Sequence, residues 1–183
     1  FSDGFAEAGP AGRVREAELK AAARAGGVRL IGPNSIGLVN LTDRIALTVN
    51  ATLEMDALPP GGGLSVLSQS GTMLGTVLSR GAARGFGFAK MVSVGNESDL
   101  GIGELVDALV DDQATRAILL FLETIRDATA LAAGARRAFA AGKPVIVFKL
   151  GRSQAGEALA QSHTGAMAGS DAAMDAFFRA HGM

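Results

Sequence analysis

From Leu64 onward, short continuous apolar runs alternate with segments of helical period, and this alternation leaves few folds open. Leu64 to Ser68, Lys90 to Val94, Arg116 to Glu123 and Val145 to Leu150 read as strands. Between them, Gly71 to Arg84 reads as a helix. Ile102, Leu105, Val106, Leu109 and Val110 fall at i, i+3, i+4, i+7 and i+8, one apolar helical face. Asp127 to Ala141 is an alanine-rich helix ended by Gly142, and Asp171 to Ala180 is the last helix, with Ser170 as its N-cap. Strands that are apolar throughout are buried on both faces, which calls for βαβ units around a parallel sheet. The expected fold is α/β, a doubly wound parallel sheet of flavodoxin-like type. A fifth strand is expected near Ile45 to Val49.

The first forty residues follow another pattern. Arg13 to Gly26 reads as a helix and Val28 to Ile31 as a short strand, followed by Gly32-Pro33-Asn34-Ser35-Ile36-Gly37. Met55 to Gly63, with its Pro and Gly residues, reads as a linker or turn region. The expected division is 1–44, the C-terminal part of a separate domain, and 45–183, the flavodoxin-type domain. A chain that opens on Phe1 and stops just past a helix is expected to be one piece of a longer protein.

Charge and composition narrow the partners. Lys+Arg 17 against Asp+Glu 18 gives a formal charge of −1, so electrostatics offer no reason to expect nucleic acid or an anionic membrane. The absence of Cys removes disulfides, thiolate nucleophiles and sulfur-based zinc sites, and no metal site is expected. The longest apolar runs, such as Ala117 to Leu122, are too short to cross a bilayer. No signal peptide is expected. A cytoplasmic location is expected.

In a parallel sheet, the loops leaving the strand C-termini share one edge, and ligands bind there. That edge gathers Ser68-Gln69-Ser70-Gly71-Thr72, Gly95-Asn96-Glu97-Ser98-Asp99, Glu123-Thr124, and the run from Gly151 to His163. His163 sits among small residues, in Gln161-Ser162-His163-Thr164-Gly165-Ala166, presented rather than packed. The Ser70-Gly71-Thr72 turn opens a helix, whose free N–H groups and dipole suit a phosphoryl group; simple N-capping by Ser70 is the competing reading. Glu123 ends an apolar strand, where its carboxylate can accept from one imidazole nitrogen and make the other a better nucleophile. An ordinary strand-end charge is the alternative. Asn96 and Asp99 read first as loop and N-cap residues, Asp111-Asp112 as a solvated helix end, and His181 as a helix-terminal histidine without a catalytic role. Neither a G-x-G-x-x-G after a strand nor a P-loop motif occurs.

These residues, in this order, resemble the α-part of the succinyl-CoA synthetase superfamily, in its ADP-forming acyl-CoA synthetase (acetate–CoA ligase) branch. Gly32-Pro33-Asn34-Ser35-Ile36-Gly37 is similar to the segment closing that family's Rossmann-type CoA-binding domain. Leu67-Ser68-Gln69-Ser70-Gly71-Thr72 resembles its phosphate-binding helix start, Glu123 its strand-end glutamate, and Ser162-His163-Thr164-Gly165-Ala166 its phosphohistidine loop.

The resemblance implies an acid–CoA ligase making acyl-CoA from a carboxylic acid, CoA and ATP through a phosphohistidine and an acyl phosphate. It implies catalytic roles for His163 and Glu123, and phosphate binding by Ser70, Gly71, Thr72 and Gly165. CoA would be met by Pro33, Asn34 and Ser35. ATP/ADP and Mg would be bound by an ATP-grasp domain or β-subunit outside this chain, in an oligomer; the piece alone would not complete a turnover. Two other readings stand beside it. One is a non-catalytic acyl-CoA-sensing or regulatory module of a protein acyltransferase. The other is a serine hydrolase using Ser70, Glu123 and His163, although Ser68 and Thr72 stand where the nucleophile elbow needs Gly.

Overall fold

The computed structural model describes residues 2–50, 58–150 and 171–183. A 3-10 turn at Ala6–Ala8 leads into α1 (Pro10–Ala25). The strands are β1 (Gly37–Asn40), β2 (Ile45–Thr48), β3 (Gly61–Ser68), β4 (Phe88–Ser93), β5 (Ala117–Leu122) and β6 (Val145–Lys149). The remaining helices are α2 (Gly71–Ala82), α3 (Ile102–Asp111), α4 (Ala128–Ala140) and α5 (Asp171–Ala180).

All six strands form one sheet in the order β2-β1-β4-β3-β5-β6. β4, β3, β5 and β6 are parallel, in the flavodoxin-like order expected. The sheet is nevertheless mixed. β1 and β2 form an antiparallel hairpin, with Gly37 opposite Thr48 and Asn40 opposite Ile45, and β1 adds antiparallel to β4 with Leu38 opposite Val92. Asn40 closes the hairpin turn by accepting from the Asp43 N–H at 3.1 Å and donating to the Asp43 carboxylate at 2.8 Å. The hairpin spans position 44. Val28 to Ile31 is not a strand, because its backbone bonds to a loop instead. The Leu30 N–H donates to Asp99 Oδ2 at 2.8 Å, and the Leu30 carbonyl accepts from Leu100 at 3.1 Å.

Strand alternation divides the core between the two faces of the sheet. Val66 and Leu64 of β3 pack with Leu74 and Leu78 of α2, together with Val39, Phe88 and Met91. Leu67 of the same strand points the other way, joining Ile118, Leu120 and Leu122 of β5 with Val106 and Leu109 of α3, Leu131 of α4 and Phe178 of α5. Thus α2 covers one face and α3, α4 and α5 the other, the doubly wound arrangement.

Polar ties close the far ends of these elements. Lys143 Nζ donates to the Leu109 and Asp112 carbonyls at 3.2 and 2.7 Å, satisfying the C-terminus of α3. Asp111 and Asp112 are not simply solvated, because each has a partner across an element. Arg137 binds both Asp111 oxygens at 2.5 and 2.6 Å, and Lys90 meets Asp112 at 2.8 Å. Among the described residues, no helix is long and apolar enough to cross a membrane.

Candidate functional site

The site lies at the C-terminal edge of the parallel strands, where β3 and β5 diverge toward helices on opposite faces. Ser68 ends β3, and α2 begins three residues later, at Gly71. Ser70 is the N-cap: its Oγ accepts from the Met73 N–H at 3.4 Å, while its own N–H and C=O both meet Ser68 Oγ, at 3.2 and 2.7 Å. Gly71 and Thr72 occupy the first helical positions, where an α-helix has no internal acceptor for its N–H groups. A side chain at Gly71 would stand 2.8 Å from Ile36 Cγ2, so a glycine lets the N-terminal loop close onto the helix start.

That loop carries Pro33, Asn34 and Ser35. It is tied to the turn after β4: Asn96 N–H donates to the Pro33 carbonyl at 2.9 Å, and Ser98 N–H to the Gly32 carbonyl at 3.0 Å. Ser35 Oγ donates to the Ser93 carbonyl at 2.5 Å and accepts from the Gly37 N–H at 3.0 Å. Its hydroxyl therefore shapes the loop. Asn34, at φ +54°, donates from Nδ2 to Asn96 Oδ1 at 3.3 Å. A cleft of about 560 Å³ is lined by Asn34, Ser35, Gln69, Ser70, Gly71 and Thr72, together with Ser2, Asp3, Ile36 and Val49. The expected CoA-contacting pair and the expected phosphate-binding turn thus share one cleft; Pro33 lines a smaller adjoining one of about 210 Å³.

Glu123 follows β5 directly and is buried, at 7% exposure. His163 and Gly165 lie outside the described residues, as does Ser170.

Sequence reading missed Gln69, which joins three loops. Its Oε1 accepts from the Glu123 and Thr124 N–H groups at 2.6 and 2.9 Å, and its Nε2 donates to the Thr124 carbonyl at 2.8 Å and to Glu97 Oε1. Glu97 in turn accepts from the Ile102 N–H at 2.8 Å, starting α3. Burial pushes the Glu97 carboxyl up from its ordinary range, against the opposing pull of Gln69, Ile102 and Arg126. The only sequence signal for Gln69 was its place between Ser68 and Ser70.

Asn96 and Asp99 anchor the N-terminal segment. Asn96 is buried and donates to Glu7 and Glu16, at 2.5 and 2.8 Å, binding the 3-10 turn and α1 to the sheet edge. Burial works to raise the Glu7 carboxyl, but the Asn96 amide and nearby backbone N–H groups outweigh it and hold it below its ordinary value. Asp99 is not an N-cap. It pairs with Arg29 at 2.8 Å, and that hydrogen bond keeps its carboxyl low. His181, at the end of α5, stacks edge-on against Phe177 with ring centroids 4.8 Å apart.

A sequence profile describing the succinyl-CoA ligase-like flavodoxin domain matches residues 61–183. The chain belongs to this family. An ADP-forming acetate–CoA ligase I of Archaeoglobus fulgidus is 40% identical over 183 residues, covering 100% of this chain and 26% of the relative. The α-subunit of a Pyrococcus furiosus ADP-forming acetate–CoA ligase I is 37% identical, again over 100% of this chain and 38% of the relative. The dinucleotide-forming acetyl-coenzyme A synthetase 1 of Candidatus Korarchaeum cryptofilum, solved with phosphate and ADP, superposes with a TM-score of 0.87 at 33% identity; the match covers 97% of this chain and 37% of that one. The chain therefore spans between about a quarter and two-fifths of the length of these family members. Neither the hydrolase nor the acyltransferase-linked reading finds support among them.

Proposed function

We propose that this chain is the flavodoxin-like part of an NDP-forming acyl-CoA synthetase, which joins a carboxylic acid to CoA at the expense of ATP. The observation that carries this reading is the single cleft shared by Asn34, Ser35 and the Ser70-Gly71-Thr72 helix start. A helix N-terminus stabilises phosphoryl oxygens through its N–H groups and dipole, and the neighbouring loop brings a second ligand within reach of the same space.

In the proposed sequence, an imidazole nitrogen of His163 attacks the terminal phosphorus of ATP, and the bond to the ADP oxygen breaks. The phosphoryl group then passes to the acid's carboxylate, freeing the imidazole and forming an acyl phosphate. The CoA sulfur attacks the acyl carbon and phosphate leaves. Ser70, Gly71, Thr72 and Gly165 hold the phosphoryl oxygens, Glu123 orients the imidazole, and Pro33, Asn34 and Ser35 contact CoA. Because the Ser35 hydroxyl is committed to Ser93 and Gly37, and Asn34 Nδ2 to Asn96, the Asn34 amide oxygen is the better placed polar atom of that trio.

Further parts of the proposal concern the rest of the assembly. The expected division into 1–44, closing a CoA-binding domain, and 45–183, the phosphohistidine-bearing domain, is proposed to move to the N-terminal side of Gly37, because the hairpin that spans position 44 belongs to the one sheet. Nucleotide and Mg are held by an ATP-grasp domain or subunit in an oligomer in the cytoplasm, where CoA and ATP pools coexist.

The test is intact-mass analysis of the whole protein, including the nucleotide-binding part, after incubation with ATP and Mg²⁺. One acid-labile phosphoryl group is expected, absent from His163→Asn and acquired more slowly by Glu123→Gln at unchanged thermal stability. A protein that makes acyl-CoA yet never carries such a group would refute the phosphohistidine.

A further inference from the structure

Gln69 makes four polar contacts with two other loops, and its amide orientation is fixed by what surrounds it. Oε1 faces two N–H donors, those of Glu123 and Thr124, while Nε2 faces two acceptors, the Thr124 carbonyl and the Glu97 carboxyl. The reversed amide would set NH₂ against two N–H groups and a carbonyl against two oxygens. Its own N–H donates to the Phe121 carbonyl at 3.1 Å, so backbone and side chain both bind the end of β5. Glu97 is held in the left-handed region at φ +53°, which costs a non-glycine residue about 1 kcal/mol. The bonds of its carboxyl to Gln69 and the Ile102 N–H offset that cost.

We propose that Gln69 is a positioning residue: its side-chain amide, braced by Glu97, sets where the Glu123 carboxyl stands relative to the helix start at Ser70. The inference rests on the phosphoryl-transfer reading for its consequence, although the brace itself is a matter of geometry. Gln69 immediately precedes Ser70 in the chain, so one residue links the phosphate-binding turn to the strand-end carboxylate. Without Gln69, two part-buried N–H groups lose their acceptor and the Glu123–Thr124 corner can shift. Displacing a group about 1 Å from its working position costs on the order of 100-fold in rate. Arg126 attracts the Glu97 carboxylate.

The experiment uses the whole protein in four forms besides wild type: Gln69→Ala, Gln69→Glu, Glu97→Gln, and the double Gln69→Glu/Glu97→Gln. Two readouts are taken, hydrogen exchange at the Glu123 and Thr124 amides and the rate of phosphoryl uptake from ATP. Gln69→Ala is expected to speed exchange roughly 10-fold. It is also expected to slow uptake about 100-fold while leaving KM for ATP unchanged. Gln69→Glu sets two carboxyls face to face, and Glu97→Gln leaves one amide oxygen for two donors, so its NH₂ meets either the Gln69 NH₂ or the Ile102 N–H. The double variant restores a donor opposite an acceptor and recovers much of both losses; the Thr124 carbonyl keeps the recovery partial. Unchanged exchange in Gln69→Ala overturns the brace. Faster exchange with unchanged uptake, or a double variant no better than its singles, overturns the positioning role. A wild-type protein that takes up no phosphoryl group defeats the phosphoryl-transfer reading and the positioning role with it, and the exchange data then decide whether the brace stands.

Discussion

Replacing Gly95 by Ala tests how the N-terminal loop is held against the sheet edge. Gly95 sits at φ +56°, and an added Cβ would stand 2.1 Å from the Pro33 carbonyl oxygen and 2.4 Å from that of Asn34. The left-handed conformation alone costs alanine about 1 kcal/mol. The collision is with backbone, so relief requires the Pro33–Asn34 segment to move away. That movement breaks the bonds from Asn96 to Pro33 and from Ser98 to Gly32, each contributing about 1 kcal/mol. The expected loss is about 3 kcal/mol, a fall in Tm of roughly 10 °C for a domain of this size. Gly85 supplies the control. It has φ +75° with nothing within 4 Å of an added Cβ, so Gly85→Ala should cost only about 1 kcal/mol. Urea unfolding of both variants, followed by circular dichroism, separates the two contributions. CoA affinity, measured by calorimetry on the whole protein, should fall for Gly95→Ala and stay unchanged for Gly85→Ala. Equal destabilisation by the two substitutions would refute the argument, because it would leave nothing for the collision to contribute.

Two further outcomes follow from the same geometry. Ser70→Ala removes the N-cap of α2 and should cost about 1 kcal/mol, read by thermal melting; a Ser70→Asp cap should recover stability yet bind phosphoryl groups worse, because it sets a carboxylate at their site. Glu97 has a raised pKa, so the folded state binds its proton more tightly than the unfolded chain does. Stability from this group is present at low pH and is lost as pH climbs from the ordinary Glu range through the raised value. Urea midpoints measured from acid to neutral pH should therefore fall less steeply across that window in Glu97→Gln than in wild type, even though the variant is less stable throughout.

Much of the parallel core was legible in the sequence. Val66 and Leu67, adjacent in β3, serve opposite faces, and only a strand buried on both sides needs a continuous apolar run of that kind. The periodic spacing of α3 was equally direct. Boundaries shifted by a few residues: Gly61 to Gly63, expected as linker, belong to β3, and α2 stops at Ala82. Within the candidate site, Ser70, Gly71 and Thr72 were readable because a helix start after an apolar strand is a local pattern, and Glu123 because a charge ending such a strand is conspicuous.

Other features were out of reach. Gly37 to Asn40 is too short and too plain to announce a strand, and it becomes one because β4 offers it an open edge. Val28 to Ile31 has the composition of a strand but meets Asp99 and Leu100 in place of a ladder. The sequence alone determined which segments are helix and strand in the parallel core, and which residues lie at its C-terminal edge, since both follow from local periodicity and a general rule of topology. The tertiary structure decided that an antiparallel hairpin completes the sheet, that Asn34 and Ser35 share a cleft with the α2 start, and that Gln69 binds the β5 corner to Glu97. Those contacts join residues far apart in the chain, and a hydrogen bond between distant residues leaves no periodic trace in either of them.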